Sequence, residues 1–159
     1  MKVSSVLVPV SGDSCDEEVV RLACDLLESS RSMIHILYVI EVDRGLPVDA
    51  EVAPAAAKGE HVLNDMESVA RNYKCQLEAE LVQARKAGAA VVQEAVAKGV
   101  DAIVVGTSYK RPFGSYSLGE SIPYILNNAP CRVVVSRGPA ELEQTSLDWI
   151  REKTETRGR

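Results

Sequence analysis

Short, continuous runs of apolar residues recur along the chain and alternate with longer amphipathic stretches. Four of the runs are rich in β-branched residues. Runs of this kind predict strands that are buried on both faces of a parallel sheet. They cover residues 6–10, 33–40, 102–105 and 132–135. A fifth segment, residues 77–82, alternates apolar and polar positions, which predicts an edge strand with one wetter face.

Amphipathic helices are predicted between the strands, because apolar residues recur there three and four positions apart. The four apolar stripes comprise Val19, Val20, Leu22, Ala23, Leu26 and Leu27; then Val62, Leu63, Met66, Val69, Ala70 and Tyr73; then Ala89, Val92, Ala95 and Val96; and finally Ile122, Ile125, Leu126 and Ala129. Asp13 or Ser14 is expected to cap the first helix, with Glu17 strengthening its first turn. Gly99 is expected to end the third helix in the left-handed conformation.

The resulting alternation of strands and helices predicts an α/β fold. Its five-stranded parallel sheet has the order 3-2-1-4-5 with helices on both faces, a Rossmann-like architecture. Residues 1–137 are expected to form this one domain. Residues 41–58 contain two prolines and no clear period, and we expect a long loop there. The polar tail, residues 138–159, is expected either to form a short docked helix or to fray.

The composition is that of a soluble globular protein, because 46% of the 159 residues are apolar and 26% are charged. The net charge of -5 argues against nucleic-acid or membrane-surface binding, which needs clustered positive charge. No apolar run approaches the roughly 18 residues of a membrane span, and the first residues lack a signal-peptide pattern. A cytoplasmic location is therefore expected. The four cysteines are Cys15, Cys24, Cys75 and Cys131; they form no CxxC pair and are expected to be reduced thiols.

A ligand crevice is predicted between the first and fourth strands, because ligands bind to open parallel sheets where the strand order reverses. The turn SGDS after the first strand and the stretch GTSYKRPFGSYSLGES after the fourth should face each other there. Backbone N–H groups in such turns hold phosphates, and Lys110 and Arg111 would add positive charge. Taken alone, Gly106, Gly114 and Gly119 are a weak signal, since glycine-rich turns are also common where nothing binds.

The chain resembles the universal stress protein family across residues 4–137. The resemblance is carried by VLVPVSGD at the first strand, by AKGVDAIVVGTSY around the fourth, and by LGESIPYILNNAPCRVVV at the last. Family members have an LVPVDGS-like first strand, a segment reading approximately A-x-x-x-x-x-D-x-I-V-x-G, and an H-A-P-C-P-V-x-V-V-like last strand. The resemblance implies the same fold that the periodicity predicts.

ATP-binding members of the family carry a motif of glycine, two residues, glycine, nine residues, glycine, and then Ser or Thr. Gly106 and Gly119 keep this spacing, but Tyr109 replaces the second glycine and Glu120 replaces the Ser or Thr. Ser11 stands where the family often has an aspartate that reads the adenine edge. The side chain of a tyrosine hinders the close approach of the backbone to a phosphate. A carboxylate at a helix N-terminus competes with a phosphate for the same backbone N–H groups.

The resemblance therefore implies a small-ligand crevice with an altered ATP motif. Its candidate binding residues are Pro9, Val10, Ser11, Val39, Gly106, Tyr109, Gly119, Glu120 and Ser121. We expect a regulatory, stress-response module that is not an enzyme and has no certain cofactor. One alternative is an ATP- or AMP-binding member, with or without Mg. A second is a slow ATPase or a nucleotide-dependent transferase with the same type of sheet. Another is an accessory domain that works beside a transporter or a kinase.

No catalytic constellation can be assigned from the residues. His35 lies in a predicted buried strand, where a core histidine is expected, and His61 lies on the exposed side of the second helix. Asp13, Asp16 and Glu17 would meet a magnesium ion at the crevice mouth, but capping and solvation explain them at least as well.

A homodimer is the expected assembly. The last strand, residues 131–136 from Cys131 to Ser136, is apolar and is predicted to lie at a sheet edge. An exposed apolar edge invites pairing with a second copy, and the resemblance implies dimerisation at this strand.

Overall fold

The computed structural model describes residues 1–109, 117–139 and Thr154. Strands and helices alternate there in the predicted order: β1 (Ser5–Val10), α1 (Asp16–Leu26), β2 (Met33–Glu41), α2 (Ala53–Ala70), β3 (Gln76–Ala84), α3 (Ala87–Lys98), β4 (Ala102–Thr107), α4 (Ser121–Asn128) and β5 (Arg132–Arg137). All strand pairs are parallel and the order is β3-β2-β1-β4-β5, which confirms the predicted fold class. No helix within the described ranges is long and apolar enough to cross a lipid bilayer.

The central strand β1 is paired unequally with its two neighbours. All six of its residues pair with β2, whereas only Val6 and Leu7 pair with β4. Beside this short seam, Oδ2 of Asp101 accepts hydrogen bonds from the backbone N–H groups of Ser4 and Ser5, at 2.9 and 3.1 Å. The two strands are therefore fastened at their amino ends and part towards their carboxyl ends.

Alternate side chains of the strands enter two separate apolar layers. In β1, Val6, Val8 and Val10 face the layer formed with α1 and α2, whereas Leu7 faces the layer formed with α3 and α4. Each of these four side chains is buried. A strand covered on both faces needs apolar residues at successive positions, which is why the run is continuous in the sequence.

The predicted apolar stripes of the last two helices are partly wrong. In α3, Val91 is 2% exposed, whereas Val96, which the predicted stripe included, is 58% exposed. In α4, Ile125 is 1% exposed but Leu126 is 50% exposed. Because α3 carries alanine or valine at most positions around its circumference, periodicity alone does not determine which face is buried.

Of the two predicted helix caps, the C-terminal cap of α3 is confirmed and the N-terminal cap of α1 is wrong. Gly99 ends α3 with a φ of 60°, which confirms the left-handed cap. The predicted cap of α1 by Asp13 or Ser14 is wrong, because the N-cap position is Cys15 and no side chain caps this terminus. The helix begins instead at Asp16, whose carboxylate turns back towards the preceding turn.

The connection between β2 and α2 is shorter than the sequence predicted. The prediction of a loop over residues 41–58 is wrong at its first position and at its last six, because β2 ends at Glu41 and α2 begins at Ala53. Pro54 resembles a loop signal, but proline is tolerated in a first helical turn, where the N–H group has no helical partner. The remaining loop is fastened to β3, since the side chains of Gln83 and Arg85 donate hydrogen bonds to its backbone carbonyl groups.

The two glutamates of the edge strand β3, Glu78 and Glu80, share the ammonium group of Lys98. Lys98 Nζ lies 3.0 Å from Glu80 Oε2 and 3.7 Å from Glu78 Oε1. Burial pushes the pKa of Glu78 up, but the ammonium of Lys98 and the other neighbours outweigh this and hold the pKa below its usual value. The side chain of His35 is 12% exposed and its Nδ1 lies 2.7 Å from Glu78 Oε2, although the ring is not oriented for a linear hydrogen bond. His35 is therefore a core residue with an acidic neighbour, in line with the core interpretation.

Candidate functional site

A crevice opens where β1 and β4 part at the carboxyl end of the sheet, as the strand order predicted. Its volume is about 170 Å³. Its lining residues are Pro9, Val10, Ser11, Asp16, Val39, Ala87, Val91, Val105, Gly106, Ser121, Ile122 and Ile125. The structure thus brings together six of the candidate binding residues, namely Pro9, Val10, Ser11, Val39, Gly106 and Ser121.

Helices α3 and α4 add apolar wall residues that the sequence did not nominate for the site. Val91, Ile122 and Ile125 line the crevice and are almost fully buried. The two isoleucines were predicted to face the core, but only the fold reveals that this part of the core borders the crevice. Val91 was missed because the buried face of α3 was predicted incorrectly.

The turn between β1 and α1 is built around the carboxylate of Asp16. Oδ2 of Asp16 accepts hydrogen bonds from the backbone N–H groups of Gly12 at 2.7 Å and Ser11 at 3.2 Å. Gly12 has a φ of 87°, a conformation that glycine adopts without strain. Burial raises the pKa of Asp16, the hydrogen bonds from Gly12 and Ser11 oppose the rise, and the charge of Asp13 adds to it. The amide groups that such a turn offers to an anion are therefore occupied by the protein's own side chain.

A second carboxylate, that of Glu41, lies at the N-terminus of α3, next to the crevice. Oε1 of Glu41 accepts a hydrogen bond from the backbone N–H group of Ala87 at 2.8 Å. Ala87 lines the crevice, so this amide also points at a protein carboxylate and not at open space. At these two positions of the crevice wall, the backbone N–H groups that could bind an anion thus already donate hydrogen bonds to protein carboxylates.

The two glycines that keep the motif spacing are required for different reasons. A Cβ atom on Gly106 would overlap Cγ2 of Val19 and lie 3.2 Å from Sγ of Cys15. Glycine at this position therefore lets α1 pack closely on β4. Gly119 has a φ of 71° and no atom within 4 Å of the position that a Cβ would take. Its left-handed backbone just before α4, and not close packing, favours glycine there.

Tyr109 lies beside the crevice, in a neighbouring cavity of about 420 Å³. That cavity is lined by Ser14, Cys15, Glu18, Ser108, Tyr109, Gly138 and Pro139. The guanidinium carbon of Arg137 lies 4.8 Å from the centroid of the Tyr109 ring, which is a cation–π arrangement. The structure thus pairs Tyr109 with the end of β5, and its contact with a ligand stays a prediction.

Glu120 is the residue that precedes α4, but its carboxylate does not cap the helix. The side chain is 89% exposed and its Oε2 lies 3.5 Å from Nζ of Lys86. This ion pair lines a third cavity, of about 220 Å³, between the first turns of α3 and α4. Ser121 lines both this cavity and the crevice, so the two spaces are adjacent. Gly119 lines none of the three cavities.

The acidic residues considered for magnesium have other contacts. Asp16 holds its turn, and Oε1 of Glu17 lies 2.7 Å from Nη2 of Arg21. Within the described ranges, no group of three or more His, Cys, Asp or Glu side chains is arranged to hold a metal ion. Lys110 and Arg111, as well as Gly114, lie outside the described residues.

Three of the thiols, those of Cys24, Cys75 and Cys131, have a raised pKa. Cys24 is buried in α1, and burial together with the neighbouring thiol of Cys75 raises its pKa to about 12. Burial also raises the pKa of Cys75 and of Cys131. A nucleophilic thiol needs the opposite shift. The side chain of His61 is 79% exposed, on the outer side of α2 as predicted.

Comparisons with known proteins agree with the fold. The family model described as the universal stress protein family matches residues 2–137. The universal stress protein MJ0531 of Methanocaldococcus jannaschii is 24% identical over 140 residues, which are 84% of this chain and 82% of that protein.

Two solved structures share the fold. The universal stress protein of Archaeoglobus fulgidus in complex with dAMP has a TM-score of 0.64 at 15% identity, over 85% of this chain and 98% of that chain. A family protein of Arabidopsis thaliana with AMP bound has a TM-score of 0.63 at 19% identity, over 87% and 94%. The chain belongs to the universal stress protein family.

Proposed function

We propose that this chain is a regulatory, stress-response module that acts without catalysis, holds a small ligand in the crevice between β1 and β4, and binds ATP poorly. The observation that carries the proposal is the crevice itself. It combines an apolar wall with Ser11, Asp16 and Ser121 at the switch point of the sheet, yet Tyr109 and Glu120 face other partners beside it. The expected cytoplasmic location is part of the same proposal.

A mononucleotide is the alternative ligand. It is supported by the relatives whose structures contain dAMP and AMP, because they share the fold over most of this chain. Slow ATP hydrolysis belongs to this alternative. Phosphate release from ATP that disappears in a Gly119→Asp variant would favour hydrolysis over the non-enzymatic proposal.

Calorimetry of the full chain with ATP, ADP and AMP, each with and without magnesium, tests the proposal. We expect ATP to bind weakly, with a dissociation constant of about 1 mM or more. Saturable ATP binding at lower concentrations would contradict it.

Replacing Tyr109 with glycine and Glu120 with serine together is expected to raise ATP affinity about tenfold, which corresponds to about 1.4 kcal/mol. The double variant removes the ring that lies against Arg137 and the carboxylate that lies against Lys86. Both cations then gain room to face a phosphate. Titration of the variant with magnesium-ATP in the calorimeter measures the change.

The control for this experiment is Glu60→Ser, which makes the same change of charge at an exposed position of α2. It should leave the affinity for ATP as it is in the unmodified chain. An unchanged affinity in the double variant would show that Tyr109 and Glu120 do not limit phosphate binding.

We further propose a homodimer that forms along β5. This strand lies at the sheet edge, and its residue Val135 is 36% exposed. An edge strand offers unpaired backbone groups to a second copy. Light scattering at micromolar concentration should give twice the chain mass for the unmodified protein and the single mass for Val135→Lys, because a charge at the interface is costly to bury. A monomeric mass for the unmodified chain would rule this assembly out.

A further inference from the structure

Two of the four cysteine thiols contact each other, although Cys24 and Cys75 are far apart in the sequence. Both are free thiols, and the S–H group of Cys24 donates a hydrogen bond to the sulfur of Cys75. Cys24 lies in the last turn of α1, and Cys75 directly precedes β3. A disulfide requires two thiols side by side, because its geometry brings the two Cβ atoms to about 4 Å from each other.

The protein around the pair holds the two segments together. Both cysteine side chains pack in the apolar layer that the sheet forms with α1 and α2, where Cys24 is 6% exposed. One turn before Cys24, the guanidinium group of Arg21 lies against the side chain of Tyr73, which is two residues before Cys75. The end of α1 and the segment that leads into β3 therefore contact each other at two successive positions.

The other two cysteines lie away from this pair. Cys15 is at the opposite end of α1, roughly 13 Å along the helix axis from Cys24. Cys131 packs in the layer with α3 and α4, on the other face of the sheet. All four cysteines lie in the described ranges, so Cys75 is the one that the fold places against Cys24.

The two thiols of the pair are not equivalent. Cys75 is half-buried between the exposed residues Lys74 and Gln76, whereas Cys24 is enclosed by the core. Burial raises the pKa of both thiols, and the hydrogen bond from Cys24 partly offsets this rise at Cys75. An oxidant therefore reaches Cys75 first, and Cys24 is the thiol that reacts in the second step. Because both thiols stay protonated at neutral pH, the reaction is slow and requires sustained oxidant.

We propose that Cys24 and Cys75 are a site of oxidative modification, where a hydroperoxide produces a reversible disulfide that fastens α1 to the start of β3. The thiolate of Cys75 attacks hydrogen peroxide, the O–O bond breaks, and a sulfenic acid forms as hydroxide leaves. The sulfur of Cys24 then attacks this sulfenic acid, so the S–S bond forms and the S–O bond breaks. In total the two thiols lose two electrons and two protons, and the peroxide becomes two molecules of water. A dithiol reductant restores both thiols by exchange.

The pair lies at the amino end of the sheet, away from the crevice. Leu27, just after α1, bridges to Val3 ahead of β1, and Gln76 pairs with Met33 at the first position of β2. The crevice opens at the carboxyl ends of β1 and β4. The inference therefore does not depend on what the crevice binds, and its failure leaves the proposed function as it stands.

Peptide mapping of the full chain tests the proposal. The folded protein is treated with hydrogen peroxide, the remaining thiols are alkylated, and the tryptic peptides are weighed by mass spectrometry. Trypsin releases Cys24 in residues 22–31 and Cys75 in residues 75–85. These two peptides should appear joined, and dithiothreitol should separate them. The joined form should appear about ten times faster at pH 8 than at pH 7, because the thiolate fraction rises about tenfold per pH unit below the pKa.

Thermal melting measures whether the disulfide fastens the two segments. It closes a loop of roughly 50 residues, so the oxidised chain should melt about 5–10 °C above the reduced chain. Dithiothreitol should reverse this rise. An unchanged melting temperature in the oxidised chain would contradict the fastening of α1 to β3.

Two variants assign the effect to the pair. Cys75→Ser should remove both the joined peptides and the rise in melting temperature. Cys131→Ser is the matched control, because it makes the same change at a cysteine that is also half-buried but packs in the other layer. It should retain both effects of the oxidant.

The mapping itself needs no variant, so it decides the question even where a substitution unfolds the chain. The same treatment of the unmodified chain in urea shows that the oxidant is active. If peroxide joins cysteines in urea but not Cys24 to Cys75 in the folded chain, the proposal is wrong. Joined peptides that occur only in covalent dimers would also overturn it, because the bond would then link two chains.

Discussion

Replacing Gly106 with alanine is expected to lower the free energy of unfolding by about 2–3 kcal/mol and the melting temperature by about 4–12 °C. The added Cβ would overlap Cγ2 of Val19, so α1 must move away from β4 or Val19 must leave its position. Val19 is 2% exposed and belongs to the core layer under α1, which leaves little room for either movement. Thermal or urea unfolding of the two proteins measures the loss.

Two further variants decide whether packing is the cause. Gly138→Ala adds the same methyl group where no atom lies within 4 Å, and it should change stability by less than about 0.5 kcal/mol. Val19→Ala combined with Gly106→Ala should cost clearly less than the sum of the single changes, because Val19 Cγ2 is then absent. If Gly106→Ala were as stable as the unmodified chain, close packing of α1 on β4 would not be the reason for glycine at this position.

Replacing Ile125 with alanine is expected to cost about 3–4 kcal/mol, the range for truncating a large aliphatic side chain in a packed core. Ile125 is 1% exposed and anchors α4 to the layer that contains Leu7 and Ile103. The neighbouring Leu126 is 50% exposed, so Leu126→Ala should cost less than about 0.5 kcal/mol. Denaturant unfolding of the two variants therefore compares a buried and an exposed truncation at adjacent positions.

The same pair of variants also tests the wall of the crevice. Ile125 lines the crevice, and its truncation enlarges it by about the volume of three methylene or methyl groups. Ligand affinity should therefore change in Ile125→Ala and not in Leu126→Ala. Similar losses of stability in both variants would contradict the position of α4.

The strands could be predicted because parallel strands buried on both faces need uninterrupted apolar residues. Val6, Leu7 and Val8 show this directly, since neighbouring residues face different layers. The face of α3 could not be predicted in the same way. Small apolar residues surround that helix, and the choice of Val91 over Val96 depends on where the sheet lies.

The position of the crevice followed from the strand order, but the orientation of its polar groups did not. Glu120 turns to Lys86 and Tyr109 lies against Arg137, and these partners are distant in the sequence. Local rules for helix termini therefore mispredict where the carboxylate of Glu120 points. The sequence predicts that Asp16 lies near the crevice mouth, but its hydrogen bonds to the turn depend on the backbone path, which no residue pattern specifies.

The unequal pairing of β1 gives the sheet a wedge-shaped gap. Asp101 and the Val6–Leu7 pairing close one end of the gap, and the ends of β1 and β4 leave the other open. A molecule that enters from the open end spreads two strand ends that share no ladder hydrogen bonds, so it breaks no backbone pairing as it settles. Such a gap tolerates ligands of slightly different thickness at little cost to the fold, while its closed end keeps the two halves of the sheet in register.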